Sequence, residues 1–494
     1  MKNPRLQQLS ASWLIEATIE DMQQAMEEGK ITSRDLVLMY LCRIADYDQQ
    51  GPALKSVLEI NPDALQIAEA LDAERKQNGP RGLMHGIPVL LKDNIDTGDK
   101  MHTSAGSLAL ANSIAPQDSF VAKQLRAAGA VLLGKTNMTE WANFMAENMP
   151  TGYSSRGGQS LNPYGAEFMT GGSSAGSGVA VGANLTAVAV GTETSGSILS
   201  PASQNSIVGL KPTLGLISRS GIIPLAHSQD MAGPMARTVR DAAILLNALT
   251  GVDANDPITG TSQEAAQHDY TKFLQKGSLK GLRLGVATHI MTKYELPAEK
   301  KALIEAAVDV LRELGADVFE VELPNFDQDW SASKTFFHEF KSDLNAYLKK
   351  LGPAASVRSL RELILFNDAD PKRMLKYGQA HLLEAEATSG TLIEPDYILS
   401  RERDLYWAKD AGLDAMMAEH QLDAWIAPNN WGAMYPAIAG YPSITIPAGY
   451  APTGEPVGVT FSAGAYSEPL LFKLAYAYEQ ATQHRKAPEF TATK

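Results

Sequence analysis

The run Gly171-Gly172-Ser173-Ser174-Ala175-Gly176-Ser177 continues through Ala, Val and Gly to Ala183, then Thr186-Ala187-Val188-Ala189-Val190, and ends in Gly191-Thr192-Glu193-Thr194-Ser195-Gly196-Ser197. From Ser174 to Ala183 the spacing of Ala and Val among small residues suits a helix packed closely on a sheet, with Gly171-Gly172-Ser173 presenting backbone donors at its N-terminus. The apolar run Thr186 to Val190 then reads as a strand. Working outward, short apolar runs at Gly86 to Leu91 and Ala130 to Leu133 alternate with helical patterns at Ile19 to Gln49 and Ser119 to Ala128. The second half repeats this habit: Leu282 to Ala287, a helix from Ala298 to Leu314, Asp317 to Leu323, several helices to about His420, Ala424 to Ala427, and a last helix from Pro469 to Gln483. Strands separated by helices predict an α/β fold, an open central sheet covered by helices on both faces. Ser443 to Pro447 and Pro456 to Ser462 are expected to add antiparallel strands at its edges, making the sheet mixed.

A chain of 494 residues with 44% hydrophobic and 20% charged residues buries a large core. No repeat, low-complexity segment or long linker divides it, and the weak interruption from Gly251 to Lys280 is the one candidate boundary. The expectation is one large domain over residues 1–494. Within it lie a helical N-terminal part (about 1–60), a motif-bearing core (about 80–250) and a C-terminal part (about 280–490) that completes the sheet and pocket. The net charge of −13 argues against a nucleic-acid partner held by a basic face and against an anionic membrane surface. The single cysteine, Cys42, excludes an internal disulfide and a multi-cysteine metal site, and reads as a core thiol. No secretory apolar stretch lies between Met1 and Glu20, and no apolar run is long enough to span a bilayer, so the cytoplasm is the expected address.

Ser173 and Ser197 offer two hydroxyls on backbone that bends sharply, and Thr194-Ser195-Gly196-Ser197 sets consecutive amides at a turn ending in a hydroxyl. This is the equipment of acyl transfer. A Gly/Ser loop before a helix is also an ordinary tight connection; two such loops in close succession favour function. Ser197 needs a base. None of the nine histidines stands in a setting that marks it: His85 precedes a turn, His102 and His227 sit in polar loops, and His420 ends a helix. Lys92 ends the apolar strand Pro88-Val89-Leu90-Leu91-Lys92, where desolvation favours a neutral amine able to act as base; the alternative is a surface lysine paired with Asp93. A competing pattern, Gly172-Ser173-Ser174-Ala175-Gly176, fits G-x-S-x-G with Ser174 as nucleophile. It would require His420 or His484 as its partner.

The block from Gly171 to Thr213, ending in Gly209-Leu210-Lys211-Pro212-Thr213, resembles the amidase signature family. The likeness runs from about Ile31 to Tyr478. It includes His85-Gly86-Ile87-Pro88-Val89-Leu90-Leu91-Lys92-Asp93-Asn94, Gly134-Lys135-Thr136-Asn137-Met138-Thr139-Glu140-Trp141 and Ala439-Gly440-Tyr441-Pro442. Within the family it is most similar to the bacterial peptide amidases, through Thr103-Ser104-Ala105-Gly106-Ser107, Arg156-Gly157-Gly158-Gln159 and Gly191-Thr192-Glu193-Thr194. The resemblance implies Ser197 as nucleophile, Ser173 behind a cis peptide as bridge, and Lys92 as ultimate base. It also implies an oxyanion hole from the amides of Thr194, Ser195, Gly196 and Ser197, and a pocket touching Ser104, Trp141 and Trp431. The implied activity is hydrolysis of linear carboxamides, such as C-terminal peptide amides, without metal or cofactor. The implied form is a monomer or homodimer with no nucleic acid or membrane partner. Alternatives are a broad aryl or alkyl amide hydrolase and the A-type subunit of a tRNA-dependent transamidation complex. Two departures stand out. Ser195 replaces a glycine common at that place, and Leu199 replaces a common arginine, which disfavours dicarboxylic half-amides.

Overall fold

The computed structural model describes residues 3–330, 333–353 and 355–490. The apolar runs become strands β1 (Val57–Ile60), β2 (Pro88–Lys92), β3 (Val131–Thr136), β4 (Val188–Glu193), β5 (Val208–Lys211) and β6 (Met231–Ala236). The second half adds β7 (Arg283–Val286), β8 (Asp317–Glu320), β9 (Ala424–Pro428), β10 (Ser443–Tyr450) and β11 (Pro456–Ser462). Among the described residues these make one mixed 11-stranded sheet in the order β1-β3-β2-β4-β6-β5-β10-β11-β9-β7-β8. β2 lies parallel to both β3 and β4, because helices Phe120–Ala127 and Ala175–Gly182 carry the chain back between them. Every residue of β2, β3 and β4 is buried, as a sheet covered on both faces demands.

Two expectations are corrected. β10 and β11 are interior strands, β10 pairing with both β5 and β11. They are buried at every position but Tyr450, which fits the middle of a covered sheet. The edges are β1 and β8, where Glu59, Asp317 and Glu320 supply charge that an exposed edge tolerates. The helical pattern from Ile19 to Gln49 is likewise divided, into helices Ile19–Glu27 and Ser33–Arg43 with a π-helical turn Ile44–Gln49. Gly29 adopts a φ of 67° after the first, and Thr32 starts the second in a reciprocal capping box with Asp35.

The Gly251 to Lys280 segment is not a linker. It folds into short 3-10 turns, and Tyr270 is buried with its ring 5.8 Å from that of Phe472 on the C-terminal helix Glu468–Thr482. Cys42, expected in the core, is half-buried. Among the described residues no helix is long and apolar enough to cross a membrane.

Candidate active site

Lys92, the last residue of β2, is fully buried. Its Nζ lies 2.8 Å from Ser173 Oγ, 2.9 Å from Ser174 Oγ and 3.1 Å from the Thr192 carbonyl on neighbouring β4. Burial pulls the ammonium from its ordinary 10.5 to about 7, against the opposing charges of Glu193 and Asp230. Lys92 is therefore no surface lysine. Asp93 turns instead to Ser104 and to Arg156, 3.1 Å away.

Ser173 and Ser174 lead into helix Ala175–Gly182, all of whose residues are buried. Only small residues permit this approach: a Cβ on Gly176 would fall 2.4 Å from the carbonyl oxygens of both Ser56 and Asn137. The Gly172–Ser173 peptide is cis. Ser174 Oγ donates to the Thr192 carbonyl at 2.9 Å and accepts from the Thr192 amide at 3.1 Å. The Ser174 amide donates to the Ser197 carbonyl at 3.1 Å, tying the two serine loops together.

Ser197 sits in the turn between β4 and helix Leu199–Gln204, 8% exposed. A side chain at Ser195 is accommodated because the left-handed residue of this turn is Gly196, with φ 80°. A Cβ there would also come within 2.8 Å of Asn430 Nδ2. The turn is gripped by Glu193, which sequence reasoning missed. Its buried carboxylate accepts from the amides of Gly196 (2.7 Å), Ile198 (2.6 Å) and Leu199 (3.1 Å), on both sides of Ser197. Burial pushes this carboxyl up, and Lys211 with the amides pulls it back. The available signal was one carboxylate in a Gly/Ser/Thr turn rich in amides needing an acceptor.

The Gly196 amide is thus already engaged, which corrects its assignment as an oxyanion donor. Among the described residues nothing accepts from the amides of Thr194, Ser195 or Ser197. Of these three residues Thr194 lines a cavity of about 510 Å³, which is also walled by Thr192, the segment around Arg219 to Met231, and helix Thr335–Lys350; Ser195 and Ser197 do not line it. Asp230 lines it and accepts from Thr194 Oγ1 at 2.6 Å.

The three expected pocket residues do not line this cavity. Ser104 is fully buried in hydrogen bonds to Asp93 and Arg156. Trp141 is buried edge-on to Phe340, their ring centroids 6.5 Å apart. Trp431 packs against Tyr294, although its neighbour Asn430 approaches Gly196. His420 and His484 border other clefts, and Ser174 Oγ is committed to Lys92 and Thr192. The G-x-S-x-G pairing therefore has no counterpart here. His227, Glu339 and Asp343 bring potential metal-ligand atoms within 4.8 Å of one another. Glu339 already accepts from Tyr397 and the Ser228 amide, and faces Arg401 at 3.7 Å. His227 is bonded to Asp343 at 2.9 Å. The group is a closed hydrogen-bonded cluster at the cavity rim.

Fold and relatives together define an α/β enzyme that cleaves amides. The chain belongs to the amidase family, whose model, described as Amidase, matches residues 35–472. An Arabidopsis thaliana relative named a probable amidase is 42% identical over 496 residues, 98% of this chain and 94% of that protein. The crystal structure of native peptide amidase from Stenotrophomonas maltophilia superposes with a TM-score of 0.91 at 46% identity, covering 97% of this chain and 99% of that one. The A-type subunit of the Methylobacillus flagellatus glutamyl-tRNA(Gln) amidotransferase is more distant, 34% identical over 97% of this chain and 100% of its own.

The grip of Glu193 yields a first prediction. Glu193→Gln keeps the shape but removes the charge and one acceptor oxygen, so kcat should fall at least about tenfold as the amides lose alignment. Glu193 also raises the basicity of Lys92. The acid limb of the pH profile of kcat/KM should therefore move to lower pH. An unchanged limb and rate would remove Glu193 from the machinery.

Proposed function

We propose that the protein hydrolyses linear carboxamides, foremost C-terminal amides of peptides and related acyl groups, to carboxylate and ammonia through an acyl-enzyme on Ser197. The observation that carries this reading is the fully buried Lys92 amine, 2.8 Å from Ser173 Oγ and with a pKa of about 7. A neutral amine has two N–H donors and one lone pair. Ser174 Oγ gives its own hydrogen to the Thr192 carbonyl, so it and that carbonyl are the natural acceptors of the two N–H groups. The lone pair is left for the Ser173 hydroxyl.

Lys92 then takes the proton of Ser173 as Ser173 takes that of Ser197, and Ser197 attacks the carbonyl carbon. The amides of Thr194, Ser195 and Ser197 receive the developing oxyanion, each donor being worth roughly 2.7–4 kcal/mol in such sites. Gly196 serves by its backbone conformation and Glu193 by holding the turn. Reversing the relay protonates the departing ammonia, and water, deprotonated by the same route, releases the acid. Peptide amides lead among substrates because the Stenotrophomonas structure is that of a peptide amidase and Leu199 offers no cation to a carboxylate. Cytoplasmic residence and a monomeric or homodimeric form without nucleic acid belong to the same proposal, the net charge of −13 disfavouring phosphate backbones.

The test is hydrolysis by the purified chain alone across peptide amides, anilides and primary fatty amides, read as ammonia from the primary amides and as the freed arylamine from the anilides. Peptide amides should give the highest kcat/KM. Turnover that appears only when other subunits are added would establish the transamidation reading, to which the 34% identical amidotransferase chain points.

A further inference from the structure

Asp230 lines the cavity beside Thr194, whose amide is one of the proposed oxyanion donors and whose side chain it binds. It ends the segment before β6, whose first residue, Met231, pairs with Glu193 on β4. Its Oδ2 accepts from the amides of Leu225 (2.7 Å) and Ala226 (2.9 Å), while among the described residues Oδ1 accepts only from Thr194 Oγ1 (2.6 Å). A carboxylate oxygen accommodates about two donors, so Oδ1 keeps an acceptor direction, and the residue lines the cavity.

Of the other charges on these walls, Lys350 is exposed at the far end of helix Thr335–Lys350 and makes no ion pair among the described residues, while those nearer Asp230 are engaged. Arg219 is bidentate to Asp256 at 2.6 and 2.9 Å, His227 is bonded to Asp343, and Asp96 accepts from Tyr347 at 2.8 Å. Among the described residues no lysine, arginine or histidine hydrogen-bonds to Asp230, and its carboxyl is pushed up to about 7 by burial. The half-buried carboxylate holds one donor on Oδ1 where it has room for about two, and a ligand N–H supplies the second.

Bond geometry says which N–H. In Thr194 the amide nitrogen and Oγ1 are three bonds apart, through Cα and Cβ. In an aminoacyl or peptidyl amide the α-nitrogen and the carbonyl oxygen are also three bonds apart. With that oxygen on the Thr194 amide and the ligand Cα–N bond turned along the Thr194 side chain, the α-nitrogen comes within reach of Asp230 Oδ1, the partner of Thr194 Oγ1. We infer that Asp230 is the acceptor for an N–H on the carbon next to the scissile carbonyl, so that the enzyme selects aminoacyl and peptidyl amides over plain alkyl amides. This rests on the amidase reading above, with Thr194 as oxyanion donor.

Three amides of one carbon skeleton test it: leucinamide with its α-ammonium, N-acetylleucinamide with a neutral α-N–H, and 4-methylpentanamide with none. For the native enzyme kcat/KM should be higher for at least the better of the first two than for the third by about tenfold or more. Asp230→Asn should bring that ratio toward one. A native ratio near one overturns the inference without needing the variant, so a misfolded variant does not rescue it. A ratio unchanged in a folded Asp230→Asn also overturns it, leaving Asp230 only to hold Leu225 and Ala226. Turnover of none of the three, while anilides or fatty amides are cleaved, overturns the peptide-amide reading instead and carries the inference with it.

Discussion

Ser197→Ala folds as the native chain does and releases no measurable ammonia, with kcat lowered by about 10⁴-fold or more. The two halves of this expectation have one structural cause. Among the described residues the Ser197 hydroxyl makes no hydrogen bond, whereas its carbonyl and the amides of the residues on either side are held. The carbonyl accepts from Ser174, and the flanking amides are tied to Glu193. Deleting Oγ therefore removes a reacting atom and no structural contact, and the unfolding free energy should change by no more than about 0.5 kcal/mol, as for substitutions away from packing and hydrogen-bond networks. Mass spectrometry of the native enzyme on a slow substrate should show an acyl group on the peptide containing Ser197 and none in the variant. A variant that keeps more than about a hundredth of native turnover would move the nucleophile elsewhere, Ser174 being the next hydroxyl to test.

The parts of this architecture that were legible in the amino-acid sequence are those in which one segment carries its own instruction. Leu90, Leu91 and Val188 to Val190 announce strands by unbroken apolar character, and Ala298–Glu313 announces a helix by its period. The small residues of 171–183 announce close packing, and Lys92 at the end of an apolar strand announces desolvation. What escaped depends on partners distant in the chain. β6, Met231-Ala232-Gly233-Pro234-Met235-Ala236, has no β-branched residue and contains a proline. It is a strand because it fits between β4 and β5, where a Cβ on Gly233 would fall 2.1 Å from the Leu210 carbonyl oxygen. The interior place of β10 and β11 was equally invisible, since strand order is a property of pairing. Trp141 and Trp431 stand near motifs but pack against Phe340 and Tyr294, contacts that no local pattern announces. The cavity walls come instead from segments near 219–231 and 335–350, where His227, Asp230 and Asp343 stand in polar surroundings with no local pattern to mark them.

Lys92→Met tests the base by two measurements with opposite signs. Methionine approximates the length and volume of the side chain but cannot take a proton, so turnover should drop by about 10²–10⁴-fold, the usual contribution of a positioned base. In the native enzyme activity should rise with pH through about 7, where the amine loses its charge, and this limb should vanish from any residual activity of the variant. Stability should move the other way. The unfolded chain holds the lysine proton up to about 10.5 and the folded chain only to about 7, so the unfolded state binds more protons between these values. Native stability consequently increases as pH rises through that window. At about 1.4 kcal/mol for each pKa unit, the penalty for burying Lys92 approaches about 5 kcal/mol below pH 7 and disappears above pH 10.5. The variant has no such penalty, although it leaves Ser173 Oγ without its nitrogen partner, a loss of about 1–3 kcal/mol, while Ser174 Oγ and the Thr192 carbonyl keep their bond to each other. That loss does not depend on pH. The difference in unfolding free energy between variant and native protein should therefore shift toward the variant as pH falls from 10 to 7, whatever its offset. A difference that stays flat across this range would mean that the amine remains charged in the folded protein, and a charged amine has no lone pair with which to draw the proton from Ser173.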